Sequence, residues 1–524
     1  MAHLAANLHV RWCGGLQVAS AQTLDFLAMG KKSACPDWRL GCTGKSCPDG
    51  HCQVSSVRSI LKRSPEGNVE QRHSARLHMS HFVASSHDSP NIQGFHMLKK
   101  AVFPGKYIQG CRAITELPSL ITLLGHQGLI LASPTVRDKV LPRCAIDLEA
   151  EGIQTELFRG ECCEEEVGRI GAILSEKQVD VLVGMGGGKT IDTAKIAADR
   201  ANIPVIVIPT IASTDAPCSG CAVLYSSDGV FEAVHYQKAN PAAVLVDVDL
   251  IAAAPTRFLV AGMGDALATW FEARSCSRTQ SVNECGGCST TAALHIAKLC
   301  YETLLAYGSA ARIAGERHIV TPALEHIVEA NILLSGLGFE SAGLAAAHAI
   351  HNGLTTLAET HSFYHGEKVA FGVLAGLQLS DASMDESATV FAFCEDVGLP
   401  TTLADIGLGN ADRLQLMEVA ERTCAPDQSI HHEAGITTPE KVLNAMLAAD
   451  AVGKARKATP CARQDGSRAQ SHDERVVLLR LDEHRRLVSK PYDRRIVNLQ
   501  RGIPLPLPFP LKRFRHTPRT PRGR

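Results

Sequence analysis

This chain has few aromatic residues, a net charge close to zero and no long hydrophobic run. Phe, Trp and Tyr make up 5% of its 524 residues, and the formal net charge is −1. Such a balance gives no overall attraction to polyanions such as nucleic acids. Because no run of about eighteen apolar residues occurs, we predict no membrane-spanning helix. The 45% apolar and 20% charged residues predict a globular protein of two or three domains.

Cysteine is frequent, but its arrangement argues against disulfides. The 18 cysteines lie at irregular spacings, so we expect reduced thiols and a cytoplasmic protein. Cys35, Cys42, Cys47 and Cys52 come closest to a cluster, yet their gaps fit no paired CxxC zinc motif.

Both ends of the chain lack the pattern of a folded segment. Residues 1–96 show no sustained apolar periodicity, and residues 457–524 are basic and rich in proline. We therefore predict disordered extensions at both ends. The first residues lack the apolar core of a secretion signal. An excess of basic residues before residue 64 leaves mitochondrial import as an alternative, and translation starting at Met97 is another.

The rest of the chain shows two different sequence patterns, one after the other. Residues 97–256 alternate amphipathic stretches with short apolar runs, which predicts a Rossmann-like α/β domain with a parallel sheet. The strand-like runs are 101–107, 128–132, 179–183, 204–208 and 243–246. Residues 257–456 are rich in Ala, Leu and Glu at helical spacing, which predicts an all-helical domain.

A glycine cluster follows one of the predicted strands. Residues 181–195 read as strand, glycine turn and helix, the arrangement in which backbone N–H groups bind a pyrophosphate. The P-loop pattern fails because Val183 stands where it needs glycine, and GxGxxG fails because its sixth position is Lys189. A purely structural turn is the alternative. The Ser- and Thr-rich loop 209–219 follows the next strand and is expected to line the same crevice.

The helical region contains residue types that could hold a catalytic metal ion. One carboxylate and two imidazoles leave a coordination position for substrate. Asp265 is a candidate, although Gly264-Asp265 before an apolar helix is also a helix-cap pattern. Four histidines compete for the other positions, and their spacing does not choose among them: His348, His351, His361 and His365.

Five strings within 97–456 closely resemble the iron-containing (group III) alcohol dehydrogenases, and among them the glycerol dehydrogenases. They are GMGGGKTIDTAK at 184–195, PTIASTDAPCS at 209–219, GMGDALATWFEARSCSR at 262–278, GFESAGLAAAHAIHNGL at 338–354 and YHGEKVAFG at 364–372. The resemblance implies an NAD-binding domain followed by a helical metal-binding domain.

The resemblance also implies roles for individual residues. The family's metal ligands match Asp265, His348 and His365. Its catalytic residues match these three and Asp215. Iron-dependent relatives have a further His where this chain has Thr269, which favours zinc over Fe²⁺. Asp215 matches the contact to the substrate hydroxyl. The cofactor-binding positions match Gly186, Gly187, Gly188, Lys189, Thr190, Ile191, Asp192, Thr210, Ile211, Ala212, Ser213, Ser219, Cys221, Tyr225 and Ser133.

From these positions we expect oxidation of glycerol, or of related small vicinal diols, with hydride transfer to NAD. Ser133 stands where the family commonly has an Asp that binds the adenosine ribose, so the preference for NAD over NADP is weaker. A homo-oligomer is implied by the resemblance. The alternatives are a dehydrogenase of phosphorylated polyols and a non-catalytic protein that binds nucleic acid through its basic tail.

Overall fold

The computed structural model describes residues 98–144, 146–380 and 382–458. The predictions made for residues 1–96, including the four clustered cysteines, lie outside the described residues. The same holds for the basic tail beyond residue 458. The cysteines inside the described ranges are all free thiols.

A six-stranded parallel sheet forms the first half of the described chain. Its strand order is β1-β8-β5-β4-β2-β3. The strands are β1 (Tyr107–Gly110), β2 (Gly128–Ala132), β3 (Gln154–Leu157), β4 (Val181–Gly186), β5 (Val205–Pro209) and β8 (Ala243–Asp247), while β6 (Cys221–Tyr225) and β7 (Phe231–Tyr236) form a separate hairpin. Since all six strands run the same way, their carboxyl ends lie along one edge, where ligands bind in such sheets.

Helices cover both faces of the sheet, as its near-continuous apolar strands predicted. They are α1 (Leu117–Leu124), α2 (Glu164–Glu176) and α3 (Gly188–Ala201). Along β2, Leu129 and Leu131 belong to the core that contains α2 and α3, whereas Ile130 and Ala132 belong to a second core with α1. The alternation along one strand therefore builds two apolar layers.

The strands differ from the sequence prediction in three places. Strand β3 was not among the predicted runs. Residues 101–107 were predicted to form the first strand, but β1 begins only at Tyr107. Pro104 lacks an N–H group for the strand ladder, which explains the late start. The antiparallel hairpin of β6 and β7 was not predicted.

Helices follow one another from Val248 to the end of the described residues, which confirms the predicted succession of a parallel sheet and a helical part. They are α4 (Val248–Ala253), α5 (Thr256–Thr279), α6 (Thr291–Glu316), α7 (Pro322–Glu329), α8 (Ser335–Ala342), α9 (Ala346–Leu354), α10 (His365–Leu379), α11 (Met384–Val397), α12 (Arg413–Thr423) and α13 (Pro439–Ala458). Helix α5 packs against α6, α8 and α10, so it lies at the centre of the helical part.

No single helix of the described residues is long and apolar enough to cross a membrane. One bent pair, Pro322–Ala342 with Ala346–Leu354, has the length and composition of a span, but its two arms meet at 100°.

Candidate active site

A cleft of about 700 Å³ lies where the carboxyl ends of the strands face the helical part. The loops after β2, β4 and β5 line one side, and α5, α9 and α10 line the other. This is the crevice that parallel α/β sheets use for ligands. The glycine loop and the candidate metal ligands therefore open into one space.

The glycine turn between β4 and α3 brings strand and helix unusually close. A Cβ atom on Gly184 would lie 2.6 Å from Cβ of Ala194, and one on Gly186 would lie 2.9 Å from Thr190. No side chain caps the first turn of α3. Its free backbone N–H groups and the positive end of the helix dipole are therefore available to a phosphate group in the cleft.

Most of the residues predicted to bind the cofactor line this cleft. They are Ser133, Gly187, Gly188, Lys189, Thr190, Asp192, Ile211, Ser213, Ser219, Cys221 and Tyr225. The other four do not line it: Gly186 ends β4, Ile191 and Ala212 are buried in the core, and Thr210 follows β5. These four support the shape of the loops rather than the surface of the cleft.

Asp265, His348 and His365 come together at the floor of the cleft, from three different helices. Oδ1 of Asp265 lies 3.1 Å from Nε2 of His365 and 3.4 Å from Nε2 of His348. One ligand atom from each residue lies within 4.8 Å of the other two. Of the competing histidines, His361 is exposed and contacts the carbonyl of Thr355 instead.

The chemistry of this group fits a divalent cation. Oδ1 of Asp265 is fully buried and, although both imidazoles face it, no hydrogen bond from the described residues satisfies it. A buried carboxylate oxygen without a partner is costly unless an ion satisfies it. One carboxylate and two imidazole nitrogens form a three-ligand set that leaves an open position, as catalytic zinc sites do. Thr269 binds the hydroxyl of Ser335 (2.8 Å) and offers no fourth nitrogen ligand.

Asp215 connects this site to the loop after β5. Its backbone N–H donates to Oδ2 of Asp265 (3.1 Å), and its own carboxylate accepts from Ser335 (2.9 Å). Burial, together with the nearby charge of Asp265, raises the pKa of Asp215 well above its ordinary value. The carboxyl group faces the cleft beside the three ligands, where it can contact a bound hydroxyl.

The two imidazoles have different partners behind them. Nδ1 of His348 lies 2.6 Å from Oε2 of Glu272, a buried residue on α5. Nδ1 of His365 lies 3.0 Å from Nε2 of His351. Sequence reasoning missed Glu272, although it stands seven residues after Asp265 and so shares its helix face.

Comparison with known proteins identifies the family. Residues 104–248 match the family model of iron-containing alcohol dehydrogenases. A glycerol dehydrogenase from Thermotoga maritima is 49% identical over 362 residues, which cover 69% of this chain and 99% of that protein. The chain belongs to the iron-containing alcohol dehydrogenase family.

Solved structures of this dehydrogenase family share the fold. A probable glycerol dehydrogenase from Sinorhizobium meliloti is 44% identical, with a TM-score of 0.64 over 68% of this chain and 99% of that one. The glycerol dehydrogenase of Schizosaccharomyces pombe is 35% identical, with a TM-score of 0.67 over 71% of this chain and 97% of that one. The protein is therefore an alcohol dehydrogenase of an NAD-dependent, metal-containing family, and it has a candidate metal site.

The burial of one carboxylate, that of Asp192, lowers the stability of the folded protein. Asp192 on α3 faces the cleft, and its Oδ1 has no hydrogen-bond partner in the described part of the chain. Burial raises the pKa of Asp192 to about 6, although Lys195 and the N–H of Val223 oppose the change. The charged form is therefore less stable in the folded protein than in the unfolded chain.

Asp192→Asn is expected to stabilise the ligand-free protein at pH 8. Since the folded pKa exceeds the ordinary value of 3.8, the penalty is full above pH 6 and disappears below about pH 4. A shift of roughly two pKa units corresponds to about 3 kcal/mol. Urea unfolding at pH 8 and pH 4 measures the difference. Asp199→Asn is the control of opposite sign, because hydrogen bonds from Lys238 and His235 outweigh burial and lower the pKa of Asp199. A less stable Asp192→Asn at pH 8 would contradict the interpretation.

Proposed function

We propose that this protein is a glycerol dehydrogenase that oxidises glycerol to dihydroxyacetone, with hydride transfer to NAD at a zinc site. The observation that carries the proposal is the meeting of Asp265, His348 and His365 in the same cleft as the glycine turn of α3. The similar proteins described above are named glycerol dehydrogenases, which supports the proposal. Related small vicinal diols fit the same requirements.

Different residues of the site have different roles in the proposed reaction. Asp265, His348 and His365 hold the cation, which, when bound, lowers the pKa of the substrate hydroxyl and favours loss of its proton. The carboxyl group of Asp215 orients a neighbouring hydroxyl by hydrogen bonding. The N-terminus of α3 and the loop 209–219 would hold the dinucleotide. When bound, NAD would accept the hydride from the secondary carbon, and the hydroxyl proton would pass to solvent.

The charges of the cleft favour an uncharged substrate. Among the described residues that line it, Lys189 is the only Lys or Arg, and it is ion-paired with Glu161. Lys368, three residues after His365 on α10, is buried with Nζ near the carbonyl of Thr360. A phosphorylated polyol would need cationic groups beside the metal. A neutral polyol therefore fits better.

The choice of NAD depends on the region around Ser133. This residue lines the cleft just after β2, and its hydroxyl accepts from the N–H of Val136 (3.3 Å). A neutral hydroxyl repels a 2′-phosphate less than a carboxylate would. We propose NAD as the main cofactor, with more tolerance of NADP than an Asp at this position would allow.

The test is spectrophotometric NADH formation by the purified protein. Glycerol and 1,2-propanediol are expected to support turnover, whereas glycerol 1-phosphate is not. Removal of metal by a chelator should abolish turnover, and Zn²⁺ should restore it. The same assay with NADP measures cofactor preference. Faster turnover of the phosphorylated substrate than of glycerol would replace the proposal with its rival, and unchanged turnover after complete metal removal would end it.

A further inference from the structure

Within the described residues, Glu272 is the one acidic side chain that contacts the ring of a proposed histidine ligand on the side away from Asp265. It lies on α5, two helical turns after Asp265, and is 1% exposed. Its Oε2 lies 2.6 Å from Nδ1 of His348. We propose that Glu272 is a positioning residue, which fixes the tautomer and orientation of His348 for metal binding. The inference rests on the proposed function, because it assumes the same metal site.

The two oxygens of Glu272 have different tasks. Oε1 accepts the backbone N–H groups of Ala345 (2.9 Å) and His348 (3.0 Å) at the start of α9. That contact alone would make Glu272 a helix cap. Among the described residues, Oε2 hydrogen-bonds only with the imidazole of His348, at the short distance typical of a charge-assisted hydrogen bond. The carboxylate therefore fixes both the backbone and the ring of His348.

The contact decides which ring nitrogen can bind a metal ion. A carboxylate only accepts hydrogen bonds, so Nδ1 of His348 must carry the proton. Nε2 then keeps its lone pair, and Nε2 is the atom that faces Asp265. A carboxylate behind a ligating histidine also raises its basicity toward the metal. His365 lacks this support, because its Nδ1 faces another imidazole, that of His351.

The charge balance of the site supports the same role. Asp265 and Glu272 are both buried, and within the described residues no Lys or Arg forms an ion pair with either of them. Two buried carboxylates without a cation are unfavourable. A divalent cation neutralises this pair, and Glu272 would act on it through His348.

Glu272→Gln is the decisive variant. The Gln carbonyl can still accept the N–H groups of Ala345 and His348, but its amide then donates to Nδ1 of His348. The proton of the ring is thereby forced to Nε2, which can no longer bind metal. Glu433→Gln is the matched control, because Glu433 also accepts a backbone N–H of α9, from Ala346 (3.2 Å), and has no contact with a proposed ligand in the described structure.

Metal affinity is measured on metal-free protein with Co²⁺ alone, from its d–d absorption bands and by competition with a chelator, and urea unfolding of the metal-free protein is recorded beside it. We expect Glu272→Gln to weaken Co²⁺ binding by about 10- to 100-fold and to alter the d–d spectrum, while Glu433→Gln binds as the parent does. Unaltered affinity and spectrum in folded Glu272→Gln overturn the proposal and leave Glu272 as a helix cap.

Glu272→Asp provides a second route if the Gln variant does not fold. Its carboxylate is one methylene shorter, so we expect a smaller loss of affinity in the same direction. Failure of both variants to fold without metal would assign Glu272 to the fold and also overturn the proposal. Turnover of glycerol by the parent protein separates the two ideas: metal binding that depends on Glu272 without turnover defeats only the proposed function. Turnover with metal affinity independent of Glu272 defeats only this inference.

Discussion

Asp265→Asn is expected to remove the metal ion and to lower kcat with glycerol by about 10³-fold or more, a loss on the order of 4 kcal/mol of transition-state stabilisation. The amide oxygen of Asn can accept the N–H of Asp215 in place of Oδ2. Its amide nitrogen then replaces Oδ1, and an N–H donor cannot ligate a cation. Metal content by mass spectrometry and NADH formation measure the two losses.

Asp450→Asn is the matched control for this substitution. Asp450 is also a buried carboxylate that accepts a backbone N–H, that of Leu403 (2.9 Å), but it lies outside the cleft. We expect it to keep its metal and its turnover, with a stability loss of about 1 kcal/mol. One equivalent of bound metal and undiminished turnover in Asp265→Asn would show that the three residues are not the metal site.

Gly366→Ala is expected to destabilise the protein by about 2 to 3 kcal/mol and to weaken metal binding by about tenfold. Helix α10 crosses α5 here at very short range. A Cβ atom on Gly366 would overlap the carbonyl oxygen of Ala261 and lie 2.9 Å from the backbone N of Asp265. Helix α10 must therefore move away from α5, and His365, the preceding residue, moves with it. Urea unfolding and a metal titration measure the two effects.

Gly376→Ala on the same helix is the control for that experiment. There the added methyl group would meet only Cβ of Ala346, at 3.4 Å, an ordinary contact distance. Since Ala favours a helix over Gly by up to about 1 kcal/mol, we expect equal or higher stability and unchanged metal affinity. Equal behaviour of the two variants would show that the close crossing does not hold His365 in place.

Local patterns in the sequence were sufficient for four of the six strands of the parallel sheet, and missed β3. The runs at 128–132, 179–183, 204–208 and 243–246 cover all of β2, half of β4, and all but the last residue of β5 and of β8, because strands buried on both faces form continuous apolar segments. In the β6–β7 hairpin, β6 alternates buried and half-buried residues and β7 is exposed almost throughout, so the apolar signal is weaker. Its turn did carry a signal: Asp228-Gly229, with Gly229 at φ +80°, is typical of a hairpin turn.

The proposed histidine ligands show where residue spacing stops being informative. His348 and His351 share a helix face, and His361 and His365 lie only four residues apart, so periodicity treats each pair alike. The packing of α9 and α10 against α5 directs His348 and His365 toward Asp265 and leaves His351 behind His365. These are contacts between residues far apart in the chain, which only the resemblance to known dehydrogenases could supply in advance.

The hydrogen bond from the backbone of Asp215 to Asp265 has a consequence for binding. One oxygen of Asp265 faces the imidazoles, while the other accepts a hydrogen bond from the loop that continues to Ser219 and Cys221 in the cleft. In the proposed function, a cation bound to the first oxygen would restrain a segment that lines the proposed dinucleotide site. By thermodynamic reciprocity, whatever affinity the ion adds for the dinucleotide, the dinucleotide returns to the ion by the same factor.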